Sequence, residues 1–159
     1  MTTTTTTDIP GAALLPPILA LNAWTLIIEA WMYKLRLPAI KQYKVPMTPN
    51  MTLDTMNSRF PGPVRWKADN YNHLLEQPVQ FYAVTLVVAF TYYLQGQGLS
   101  GPKGDQGFDA TLAWLYVAAR VVHSLIQCST NVIPWRFAAF GASSVVLGVL
   151  TGRGIWLVL

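Results

Sequence analysis

The sequence predicts an all-α integral membrane protein built as a four-helix bundle. Three observations carry that prediction. Hydrophobic residues fill 52% of the 159 positions and charged residues only 11%, whereas soluble domains carry about 25% charged residues. The apolar residues gather in long runs, several of them suited to a bilayer crossing of about 20 residues. Seven basic residues, Lys34, Arg36, Lys41, Lys44, Arg59, Arg65 and Lys67, crowd into one window between two of these runs. The net charge of +4 is therefore a topology signal. Nucleic-acid binders spread Lys and Arg over a soluble face, and no nucleic-acid partner is expected. The single cysteine, Cys128, excludes an internal disulfide and a multi-cysteine metal site, and no metal ligands are assigned.

Residues 1–11 begin with a threonine run and read as a disordered tail. The rest, residues 12–159, reads as one four-span domain. No Lys or Arg precedes Lys34, so the first apolar segment lacks the basic start of a cleaved signal and is expected to be retained. That first span covers residues 12–34, with Pro16 and Pro17 in its first turn. Asn22 and Glu29 interrupt it; a lone glutamate in lipid must be neutral or paired. Trp24, Trp31 and Tyr33 suit the interface. Lys34, Arg36 and Pro38 end the span.

Residues 39–63 form a basic loop broken by Pro46, Pro49, Pro61, Gly62 and Pro63, which the positive-inside rule places in the cytoplasm. The second span, residues 64–94, is about 46 Å long at the helical rise, so its first turns should protrude. Those turns carry Asp69, Asn72, His73, Glu76 and Gln80, which at three- and four-residue spacing share a face. Pro78 should kink the helix where the apolar part begins. A glycine-rich loop, residues 95–107, leads to the third span, residues 108–128. There Asp109 is the expected N-cap and Arg120, His123 and Gln127 lie along one face. The fourth span, residues 135–150, starts with Arg136 and is rich in small residues that permit close packing in lipid. Gly152-Arg153-Gly154 should end it, leaving residues 155–159 as an interfacial tail.

With four spans, the start of the second helix, the end of the third and the start of the fourth meet at one membrane surface. Arg120, His123, Gln127, Arg136, Asn72, His73 and Glu76 gather there, and Lys34 and Arg36 lie at the same level. Such a cationic pocket suits a carboxylate-bearing ligand, because guanidinium grips carboxylate in a bidentate way. A buried Glu76–Arg120 pair joining the second and third helices is also expected.

These residues resemble the MAPEG family, the membrane-associated proteins of eicosanoid and glutathione metabolism. The segment Asn72-His73-Leu74-Leu75-Glu76-Gln77-Pro78-Val79-Gln80-Phe81-Tyr82 is similar to the family's second-helix entry. Arg120-Val121-Val122-His123-Ser124 and the fourth-helix Arg136 continue the likeness over about residues 67–150, which is closest to bacterial-type members. The resemblance implies a trimer with glutathione held between neighbouring subunits. Glu76 would hold the ligand's amino group; Arg120, Arg136 and Lys34 or Arg36 its carboxylates; His123 would stand in the same wall. The implied activity is a glutathione transferase or peroxidase acting on lipophilic substrates. The sequence departs from the family at three places: Asp69 and Asn72 replace arginines, Gln127 stands where a tyrosine is common, and Phe137 and Phe140 follow Arg136 where a hydroxyl is common. These departures keep an alternative open, a non-catalytic subunit binding lipid or other membrane subunits in a larger complex. The location is a bacterial inner membrane or an organelle membrane. A transporter is disfavoured, as no inverted repeat is found.

Overall fold

A computed structural model describes residues 9–159, and these are helical with no strand. Residues 1–8, most of the expected disordered tail, lie outside the described residues. Ile9 to Gly11 form a turn. Gly11 has φ 87°, and a side chain there would run into the Ala89 carbonyl oxygen, so only glycine fits. Its N–H donates to Gln106 Oε1 at 2.9 Å, tying the start of the chain to the start of a distant helix.

A 3₁₀ turn, Ala12–Leu14, opens into α1, Leu15–Gln42. Then come α2 (Leu53–Ser58), α3 (Gly62–Glu76), α4 (Pro78–Gly96), α5 (Gln106–Ser129) and α6 (Ile133–Val158). Helices α1, α3, α4 and α6 each carry proline in their first two positions, where a missing N–H costs no helical bond. Helix α5 starts differently. Asp105 caps it, accepting from Gly107 N at 2.9 Å and Phe108 N at 3.3 Å. Asp109, the expected cap, is wholly buried instead.

Leu14, Leu21 and Ile28 are seven residues apart and line one stripe of the first helix. They pack into one core with Leu74, Phe81, Val88, Ala113, Tyr116, Leu147 and Leu150. Phe81 of α4 stacks on Tyr116 of α5 at 4.4 Å between ring centres. Helix α5 packs on α6, α3 and α1.

Several helix ends differ from the expected ones. Helix α1 continues through Pro38 to Gln42, because Ala39 joins a second small core with Val45 and Phe60. That core also folds the 39–63 loop, which contains α2. The long second helix divides at Gln77, one residue before Pro78, at the expected kink. Helix α6 runs through Gly152-Arg153-Gly154 to Val158 rather than ending near residue 150.

Three helical stretches are long and apolar enough to cross a membrane: Ala12–Gln42, Gly62–Gly96 and Ile133–Val158. The chain is thus an all-helical integral membrane protein. Helix α5 is not among the three, and it carries the buried polar side chains Asp109, Arg120, His123, Ser124 and Gln127.

Candidate functional site

The end of α5, the start of α6 and residues 70–73 of α3 come together in the bundle. Arg120 projects from α5 into the interior and is 0% exposed. Its Nη2 donates to the His73 carbonyl oxygen at 2.7 Å. The guanidinium lies over the Phe140 ring at 5.7 Å. Its Nε and Nη1 have no hydrogen-bond partner among the described residues.

One turn further along α5, His123 has an acceptor oxygen close to each ring nitrogen. Nδ1 is 3.0 Å from the Arg136 carbonyl oxygen; this oxygen and Gln127 Oε1 both only accept, so a neutral imidazole donates to one of them at a time. Nε2 is 3.0 Å from Gln127 Oε1. Asn70 Nδ2 donates to the same oxygen at 3.1 Å. A chain of side chains therefore runs from α3 through Gln127 and His123 to the backbone of α6. It pins the first turn of α6 and with it Arg136. The Arg136 guanidinium itself donates from Nη1 to Asn131 Oδ1 at 2.7 Å. Asn131 has φ 51°, a left-handed conformation that asparagine tolerates, and it makes the sharp turn between α5 and α6.

These groups frame an open cleft of about 220 Å³, lined by His73, His123, Ile133, Arg136, Phe137 and Phe140. The two imidazoles meet edge to face at 6.1 Å, and His123 tilts against Phe140 at 5.9 Å. The cleft is cationic at Arg136 and aromatic at Phe137 and Phe140, and the Phe140 ring also meets the buried Arg120 guanidinium.

Other predicted residues lie elsewhere. Asn72 is exposed on α3. The Glu76 carboxylate is 67% exposed and 3.3 Å from His73 Nδ1, so the expected buried Glu76–Arg120 pair is not formed. The reason is register. Helix α3 buries Lys67, Ala68, Asn70 and Leu74, which turns the adjacent face, with Asn72 and Glu76, outward. Lys34 is exposed. Arg36 is bound by the 39–63 segment, with Nη2 donating to Asn57 Oδ1 at 3.1 Å and the guanidinium over Phe60 at 5.5 Å.

Sequence reasoning missed Asn70, whose signal was a buried Gln127 in need of a partner. It also missed Gln77, which donates from Nε2 to Ser144 Oγ at 2.8 Å and so ties the α3–α4 break to α6. At the opposite end of the bundle, Asp109 receives Arg153 Nε at 2.7 Å, Arg153 Nη2 at 3.1 Å and the Tyr92 hydroxyl at 2.6 Å. This ion pair was unforeseen because Arg153 was read as lying past the end of its helix.

The model of the MAPEG family matches residues 14–156. No curated protein and no solved structure matches the chain.

Proposed function

The chain belongs to the MAPEG family, and from that premise we propose that its polar cleft binds glutathione and conjugates it to lipophilic electrophiles. One observation carries this reading. Arg136 lines the cleft, and Arg120, wholly buried against the lining ring of Phe140, keeps two nitrogens without a partner among the described residues. A buried guanidinium without a counter-charge is costly, and a ligand carboxylate answers it with a bidentate contact. Glutathione has two carboxylates for the two cations. Its ammonium fits the exposed Glu76, whose carboxylate is 3.3 Å from the cleft residue His73.

In the transfer step, the thiol loses its proton to solvent. The Arg136 guanidinium stabilises the resulting thiolate, which is the reactive form. The thiolate sulfur attacks the electrophilic carbon, a C–S bond forms and the leaving group departs with its electron pair. The cleft is open on the outside of the chain, and a second copy in a homotrimer would close it over the ligand. The cleft and residues 39–63 then face the cytoplasm, and the lipophilic substrate enters from the bilayer. Peroxide reduction by the same thiolate is the related activity. Phe137 and Phe140 supply no hydroxyl near the thiolate, which predicts slow turnover. That same feature, with His123 and Gln127 engaged by neighbouring groups of the bundle, favours the second reading, a non-catalytic membrane subunit.

Calorimetry with glutathione on the purified protein decides between them. The wild type is expected to bind, Arg136→Leu to lose binding while keeping its oligomeric state, and Arg136→Lys to recover only part, since a point charge cannot replace the planar fork. A wild type silent at millimolar glutathione refutes the enzyme reading.

A further inference from the structure

We propose that the folded segment between α1 and α3 is a seat for anionic phospholipid headgroups of the bilayer that holds the protein. The first helical stretch, Ala12–Gln42, is about 46 Å long at 1.5 Å per residue and exceeds a hydrocarbon core of about 30 Å. Its polar end therefore stands at and beyond the headgroups. Tyr33, Leu37 and Lys41 follow one another at four-residue steps along one side of α1, and all three are exposed. An aromatic ring, an aliphatic chain and then a cation is the order that a membrane boundary favours.

The segment that continues from there is ordered. Ala39, Val45 and Phe60 are buried together. Val45 N–H donates to the Ile40 carbonyl oxygen at 3.0 Å. Tyr43 meets Phe60 edge to face, and Arg36 clamps Asn57 from α1. The cations Lys41, Lys44 and Arg59 are exposed on this frame. Between residues 39 and 61 their only opposing carboxylate is Asp54. Two apolar side chains take no part in its small core and point outward: Met47 is 70% exposed and Leu53 is 66% exposed. A recess of about 340 Å³ beside them is lined by Met47, Thr48, Pro49, Met51 and Met56. Cations carried on a folded segment beside apolar prongs fit a surface that is negative outside and apolar just beneath.

The test compares thermal unfolding of the full chain in nanodiscs of phosphatidylcholine with nanodiscs of one-third phosphatidylglycerol. The wild type is expected to gain roughly 5 °C in Tm with the anionic lipid, and to lose most of the gain in high salt. The triple variant Lys41→Gln, Lys44→Gln, Arg59→Gln should match the wild type in neutral discs and show little gain in anionic ones. Should the triple variant not fold, Lys41→Gln and Arg59→Gln singly are each expected to take part of the gain. The proposal is overturned if the wild type shows no gain, or if the variants keep all of it. It is also overturned if inorganic phosphate added to neutral discs reproduces the gain, which would make this a site for a soluble phosphate.

Discussion

Arg120 is wholly buried and makes a single hydrogen bond among the described residues, to the His73 carbonyl oxygen. A buried charge is a weak source of stability, and an apolar replacement of similar volume is often neutral or stabilising. Arg120→Met is therefore expected to unfold at or above the wild-type temperature while losing the calorimetric glutathione signal. A large fall in Tm would mean that Arg120 is structural. The three residues of α5 that matter here, Arg120, His123 and Gln127, were legible because their spacing allows only one shared face. Asn70 was not. Asn70 and Asn72 both sit within reach of a helical polar face, and the choice between them is made by which residues of α3 the other helices bury. Sequence spacing sets the period of a face, and tertiary packing sets its direction.

Helices α5 and α6 are joined at their far ends by the bidentate Asp109–Arg153 pair, with the Tyr92 hydroxyl on the same carboxylate. This pair explains why α6 continues past Gly152. Arg153 is anchored on α5, and Gly154 next to it lets α6 approach Val88 of α4 so closely that a methyl group there would lie 3.2 Å from Val88 Cγ2. Two glycines that read as a helix stop are tolerated because tertiary contacts outweigh a propensity cost of about 1 kcal/mol each. Breaking the pair strands a charge. Asp109→Ala is expected to cost about 3–5 kcal/mol, and Asp109→Ala combined with Arg153→Met should recover much of the loss. Chemical denaturation of the four proteins of this cycle measures the coupling; additive losses would show that the pair contributes nothing. Pro78, by contrast, was legible as a break, since its missing N–H acts locally whatever packs around it.

For the whole molecule, all four long helical stretches were expected from the sequence, but only three are long and apolar enough to cross a membrane, and the central α5 is not one of them. Helix α5 is flanked by α6, α3 and α1, and its polar side chains face them. A helix can carry Asp109 and Arg120 across a bilayer when neighbouring helices shield those groups. On this argument α5 is expected to cross along with the other three. Positions before α3 and after α5 then lie on one side of the membrane, and the α4–α5 loop lies on the other. In a Cys128→Ser background, Ser58→Cys and Thr130→Cys should react with a membrane-impermeant thiol reagent from the same side, and Ser100→Cys from the opposite one. Residues 58, 100 and 130 are all exposed, so the reagent reads sidedness rather than burial. Labelling of residue 130 together with residue 100 would show that α5 does not cross. It would also separate Arg136 from the surface that carries residues 39–63, and the cleft would then open on the side away from the basic segment.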